Sequence, residues 1–391
     1  MKKSMLALVS ALMIASFLLA ACGGGAPAAP SKQTEVTFWH AYGTGSAEEA
    51  ALANVLAAAA ADLPEYKINV LQVPFADIFN KYRTDVAAGG GPDMFIAPND
   101  DLGNDARAGL IADISELAKG KLDGVNQLGI DGMSLDGKLY GVPESLKAVT
   151  LWYNTSMLPT APKTTDEVMK LMEAGTPISM NYGCYHMYGY YSAFGGSIFD
   201  PSWKVIADQG GVVDAFTFLN SAYQLQKKNG WAMNDSDGLA PFSEGKLAAI
   251  MNGNWAMADY KKALGDKLAV APLPAGPKGP AAPMLGVDGF YINPNSANKE
   301  AAIAVALYLT NAKSQTIMMN EAGHVPVRTD VTITDPLIKG LVDAFNVGST
   351  IRPQVPELGK YWSNFCGSDA IYEKGIEPAQ FVTDATAGAN K

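Results

Sequence analysis

Val36-Thr37-Phe38-Trp39, Lys67-Ile68-Asn69-Val70-Leu71-Gln72-Val73 and Asp93-Met94-Phe95-Ile96-Ala97 are three short runs rich in apolar and β-branched residues, the composition of strands. Between the first two, Ser46 and Glu49 have capping-box spacing, and the alanine-rich segment behind them predicts a helix to about Ala61. Between the second and third, Phe75 to Ala88 carries apolar residues at helical spacing and is ended by Gly89-Gly90-Gly91-Pro92. The β-α-β-α-β order predicts a parallel sheet with helices on its faces. In such sheets ligands sit beyond the carboxyl ends of the strands. Those ends carry His40-Ala41-Tyr42, Val73-Pro74 and Pro98-Asn99-Asp100-Asp101, so a site is expected there.

The second half is built in the same style. Leu247 to Met251 reads as a buried strand that turns at once through Asn252-Gly253-Asn254-Trp255. Leu268 to Ala271 is a further strand, followed by a Pro/Gly loop from Pro272 to Pro283; Phe290 to Asn293 is another, and Asn298 starts a helix reaching about Thr310. No short-period repeat is present, which argues against a solenoid. A chain of 391 residues is too long for one small core and fits two domains.

Hydrophobic residues make up 48% and charged ones 17%, which is neither a disordered nor a fibrous composition. Thirty-nine acidic against 29 basic residues give a net charge of −10 with no basic run, a poor match to nucleic acid. His40, His186 and His324 are too far apart in sequence for a local zinc motif.

Lys2-Lys3 precede an apolar run from Met5 to Ala21 that stops at Leu19-Ala20-Ala21-Cys22. A basic start, a short apolar middle and small residues before a cut are the layout of a secretory signal over 1–21. Leu-Ala-Ala-Cys resembles the bacterial lipobox, whose cysteine, here Cys22, is acylated and becomes the new N-terminus. The Gly/Ala/Pro stretch that follows, within residues 22–33, suits a flexible tether for an anchored extracytoplasmic domain. Cys184 and Cys366 then face an oxidising compartment, where they either pair or each act as a small buried hydrophobe.

Aromatic residues concentrate in Tyr182-Gly183-Cys184-Tyr185-His186-Met187-Tyr188-Gly189-Tyr190-Tyr191, five tyrosines broken by glycines that read neither as a helix nor as a clean strand. Flat apolar faces offered together with hydroxyls match the chemistry of pyranose rings. Trp255 and Trp362 are further candidates for stacking. A glycoside hydrolase would need paired carboxylates, and Asp100-Asp101 and Glu144 are available, but no spacing links them. No nucleophile elbow, P-loop or dinucleotide fingerprint is present. Tyr190-Tyr191 with His186 would be the only starting point for a ferric site. No cofactor or resident metal is expected.

Several segments in register resemble the family 1 extracellular solute-binding proteins of ABC importers, and especially their maltose/maltodextrin-binding members. They are Gly91-Pro92-Asp93-Met94-Phe95, Ala108-Gly109-Leu110-Ile111-Ala112-Asp113-Ile114, Asp136-Gly137-Lys138-Leu139-Tyr140-Gly141-Val142-Pro143, Leu151-Trp152-Tyr153-Asn154, Met251-Asn252-Gly253-Asn254-Trp255-Ala256 and Arg352-Pro353-Gln354-Val355-Pro356-Glu357 with Tyr361-Trp362. The resemblance implies a two-lobed α/β fold of the type II periplasmic-binding kind, each lobe a sheet flanked by helices, with a cleft between them. The N-terminal lobe would take residues 34–145 and 290–331, and the C-terminal lobe 146–289 and 332–391. It further implies a monomeric, non-enzymatic receptor that closes on a carbohydrate and presents it to an ABC permease. The sugar would stack on Tyr185, Trp255 and Trp362, with Asp100, Asn99, Lys147 and Glu144 choosing among hydroxyl patterns and His40 and Tyr42 at the first strand end. The family's flanking tryptophan and arginine correspond to Ala97 and Asp101, and its hinge-region glutamate to Lys147, so the polar half is rewritten. Glycerol phosphate or another polyol would be alternative ligands of the same fold. The alignment also brings Cys184 and Cys366 to one wall of the cleft and implies that they pair.

Overall fold

The computed structural model describes residues 33–391; the leader, Cys22 and the tether lie outside the described residues. Strands Thr34–His40, Tyr66–Gln72 and Met94–Pro98 form where the three apolar runs predict them, and Thr34–His40 pairs in parallel with both others. The connecting helices are Ala47–Asp62 and Phe75–Ala87. Ser46 accepts from the Glu49 amide, and the Glu49 carboxylate accepts from the Gly45 amide, so the capping box closes one residue early.

The sheet continues antiparallel beyond Met94–Pro98, through the long strand Met284–Ile292, then Gly141–Lys147, then Val325–Pro326. The short strand Thr350–Ile351 pairs with the start of Met284–Ile292. The long strand begins six residues before the expected one at Phe290, because Gly286 and Gly289 dilute its apolar pattern. A Cβ at Gly289 would lie 2.6 Å from the end of the Met133 side chain, which would have to shift to admit it. Gly286–Gly289 and Leu146–Lys147 therefore pair within the first lobe's sheet, whereas the sequence boundaries put them in the second lobe.

A second sheet has the order Leu268–Ala271, Val149–Asn154, Ala249–Gly253, Ile178–Ser179. Only Ala148 separates Lys147, the last residue of the first sheet, from Val149, the first of the second. Ala148 is buried, and its amide donates to the Asn254 side chain (3.2 Å), whose own amide group donates to Leu146 O (3.2 Å). A second passage runs through the Pro/Gly loop before Met284, and a third through Pro336–Gly348 to Thr350–Ile351. Leu146, Ala148, Trp152, Ile250, Leu285 and Phe345 belong to one buried cluster across this junction.

The tyrosine-rich stretch folds as two short helices, Cys184–Met187 and Gly189–Ala193, where the sequence suggests irregular structure. Burial decides this: Tyr190 and Tyr191 pack on Phe218 and Phe216 of the long helix Val212–Asn229, which outweighs the helix-breaking glycines. Cys184 is disulfide-bonded to Cys366 (Cα–Cα 5.0 Å), tying this segment to the end of helix Glu357–Phe365. With a sequence separation of 182, the cross-link restricts the unfolded chain by about 5 kcal/mol in the loop-entropy account. Reduction is therefore expected to lower the denaturation midpoint markedly, and thiol titration of denatured, unreduced protein to find neither Cys184 nor Cys366 free. Two reactive thiols in the unreduced chain would contradict the bond.

Candidate functional site

A cleft of about 640 Å³ opens at the carboxyl ends of the first sheet's strands, where the strand-end rule expects a site. One side comes from the first lobe: Tyr42, Glu48, Phe75, Ala97, Asp100 and Lys147, with Asp288 from the long strand. The other comes from the second lobe: Cys184, Tyr185, His186, Trp255 and Trp362. Arg352, just after the third passage, completes the lining.

The second-lobe wall is aromatic. The rings of Tyr185 and Trp255 are 6.2 Å apart and inclined by 35°, and His186 meets Trp255 edge-on at 5.9 Å. Tyr185 is fixed by its hydroxyl, which donates to Met284 O (3.1 Å). Trp255 stands in the turn directly after strand Ala249–Gly253, its ring folded back over Gly253. A Cβ at that glycine would lie 2.0 Å from the ring, so the platform needs glycine there. Trp362 sits on helix Glu357–Phe365, packed against buried Tyr361 at 4.8 Å and one turn before the disulfide. All three rings are only partly buried, leaving faces for a partner.

The first-lobe floor is ionic. Lys147 donates to Glu48 (2.9 Å) and lies 2.8 Å from Asp288 and 5.7 Å from the centre of the Tyr42 ring. Burial disfavours its ammonium, but Asp288 and Glu48 more than compensate and raise its pKa. Behind it, His324 bonds Glu144 through Nδ1 (2.9 Å) and Glu48 through Nε2 (2.9 Å). Burial alone would push Glu48 up, yet Lys147 and His324 bring it down to about 2. Arg352 pairs with Asp100, and its guanidinium lies 4.9 Å over the Tyr185 ring, so it touches both walls. Gln354 holds this segment to the first lobe by donating to Asn99 O (3.0 Å).

Of the residues singled out in the sequence, Tyr42, Asp100, Lys147, Tyr185, Trp255 and Trp362 line the cleft together. Asn99, Glu144 and His40 do not. Asn99 is fully buried, its side chain donating to Gly132 O (2.8 Å) and accepting from Val287 N (3.1 Å), which braces the strand ends. Glu144 lies beneath the floor, engaged with His324, and His40 is buried between Phe38 and Tyr42. A carboxylate pair of Asp100 and Glu144 is consequently not assembled in the cleft. Tyr190 and Tyr191 are core residues, which removes the adjacent phenols on which a ferric site would depend. Glu48, Phe75, Asp288 and Arg352 are cleft residues that sequence reasoning did not select. Glu48 looks like an ordinary acidic first-turn residue, and only the fold brings it to Lys147, 99 positions away.

Two α/β lobes with a crevice at their strand ends, one wall aromatic and the other polar, define a receptor for a small polar solute. Residues 52–340 match the family model of the bacterial extracellular solute-binding proteins, and the chain belongs to that family. The galactooligosaccharide-binding protein of Bacillus subtilis is 26% identical over 89% of this chain and 87% of its own. The maltooligosaccharide ABC transporter solute-binding lipoprotein of Streptococcus pneumoniae strain R6 is 24% identical over 72% of each. Among solved structures, the Thermus thermophilus maltotriose-binding protein bound with maltotriose superposes with a TM-score of 0.81 at 25% identity, covering 91% of this chain and 99% of that one. The fold is the two-lobed type II periplasmic-binding fold expected from the resemblance.

Proposed function

We propose that this protein is an extracytoplasmic sugar receptor, anchored by a lipid on Cys22, that captures a short oligosaccharide of the maltodextrin kind and delivers it to an ABC permease without transforming it. The observation that carries the reading is the three-ring wall of Tyr185, Trp255 and Trp362 facing carboxylates and a phenol across one cleft. Pyranose C–H faces pack on such rings while hydroxyls meet the polar side. Both walls are engaged only when the lobes approach, so sugar shifts the balance toward the closed form, and the permease reads that form. The lipobox, the tether and the pneumococcal lipoprotein relative support the anchor.

Electrostatics favours a neutral sugar over glycerol phosphate. A phosphate needs converging cationic donors, but Lys147 is held by Glu48 and Asp288, and Arg352 by Asp100. A thermal-shift screen of mono- and oligosaccharides, glycerol phosphate and ferric ion tests the reading. A saccharide present at 100 times its Kd stabilises by about 2.7 kcal/mol, so maltotriose is expected to raise the unfolding midpoint, with glycerol phosphate and iron leaving it unchanged. No response to any saccharide, or release of shorter sugars from maltodextrin, would defeat the proposal.

A further inference from the structure

Among the buried polar atoms of the cleft to which the described residues offer no hydrogen bond are the Tyr42 hydroxyl and Oδ1 of Asp288, both in its floor. Tyr42 is 6% and Asp288 1% exposed, and both residues line the cleft. Lys147 lies beside both residues, its ammonium 2.8 Å from the other Asp288 oxygen and 5.7 Å from the centre of the Tyr42 ring. Leaving such groups unpaired away from water is unfavourable, so the arrangement is explained most directly by a bonding partner that arrives from the cleft.

The chemistry of that partner follows from the donors and acceptors. A carboxylate oxygen only accepts, whereas a phenol both donates and accepts. A sugar hydroxyl also does both, so one hydroxyl can donate to Asp288 while its neighbour exchanges a bond with Tyr42. A phosphate oxygen offers acceptors alone and would be repelled by Asp288. The two groups come from different elements, Tyr42 just past strand Thr34–His40 and Asp288 from within Met284–Ile292, so the fold and not the local sequence pairs them.

We propose that Tyr42 and Asp288 form a diol-reading corner in the cleft floor, in which two neighbouring hydroxyls of one sugar ring bond to the Tyr42 hydroxyl and to Oδ1 of Asp288. The corner rests on the sugar-receptor reading and deepens it by naming where hydroxyl configuration is read.

Tyr42→Phe is the clean test, because it removes a hydroxyl that makes no hydrogen bond among the described residues. Calorimetric titration of the full mature chain, with maltotriose as first probe and then the saccharide giving the largest thermal shift, is expected to show ten- to a hundredfold weaker binding. The unfolding midpoint without sugar should stay level or rise. Asp288→Asn should weaken binding by at least tenfold. A series of monodeoxy sugars locates the contact: the derivative lacking the hydroxyl read by Tyr42 should bind wild type more weakly than the parent sugar, yet bind Tyr42→Phe about as well as the parent does. Unchanged affinity in Tyr42→Phe, or a fall in its sugar-free midpoint that accounts for the weaker binding, would overturn the corner while leaving the receptor reading intact. If no saccharide binds wild type, the receptor reading fails first and the corner with it.

Discussion

His324→Ala is expected to lower the unfolding free energy by roughly 3–5 kcal/mol, the usual cost of removing one partner from a buried ionic network. His324 is 1% exposed and bonds both Glu144 and Glu48, so its loss strips Glu144 of its cation and leaves Glu48 to Lys147 alone. The pH dependence gives the mechanism its own signature. Burial alone would depress the His324 pKa, but Glu144 and Glu48 reverse this and lift it to about 9 from 6.5. A raised pKa in the folded state means that the stabilisation is fully present below pH 6.5 and is lost as pH rises through 9. At 1.36 kcal/mol per unit this loss is about 3 kcal/mol. Glu48 sets the acid side: lowered to about 2 from 4.5, it contributes above pH 4.5 and stops contributing as pH falls through 2. Urea unfolding of wild type and His324→Ala at pH 6 and pH 9 checks the claim. The gap between the two proteins should be wide at pH 6 and much narrower at pH 9. A gap that does not change with pH would mean that His324 acts by packing and not by charge.

The second large effect is on binding. Trp255→Ala and Trp362→Ala should each weaken sugar binding by at least tenfold, and the double variant by a hundredfold or more, each tenfold corresponding to about 1.4 kcal/mol. Buried aromatic anchors dominate recognition because they remove the most apolar area from water per residue. Folding should be little affected, since both rings are only partly buried and sit at the edge of the second lobe's core. Calorimetry with maltotriose, alongside denaturation curves, separates the two quantities. Wild-type affinity in both single variants would show that the sugar stacks elsewhere.

The sequence discloses the frame of this molecule better than its floor. Val36–Trp39, Lys67–Val73 and Asp93–Ala97 are legible as strands because local composition and intervening helix-length segments agree, and the strand-end rule then places the cleft. Trp255 is legible because a strand ends in a Gly-containing turn just before it. Asn99 misleads because it stands beside Asp100 in the turn past a strand end, yet its side chain is directed inward and holds Gly132 and Val287. Glu144 misleads because nothing local reveals that His324, 180 residues later, will cover it. Glu48, Asp288 and Arg352 are invisible for the same reason: each is a common surface residue type whose role exists only once distant segments meet. The tyrosine-rich stretch gives a mixed result, with Tyr185 in the cleft and Tyr182, Tyr190 and Tyr191 in the core, because alternating burial within two short helices leaves no periodic trace.

Asn254 ties the backbone at Leu146 and Ala148, on either side of Lys147, and the next residue in the chain is Trp255. The first crossing between the two sheets is thus one peptide bond from the aromatic wall of the cleft. Lys147 stands at the same place from the opposite direction, immediately before Ala148 and within the floor. In the receptor proposed above, occupancy and lobe angle therefore share a mechanical address, and no relay of intermediate side chains has to carry the message from one to the other.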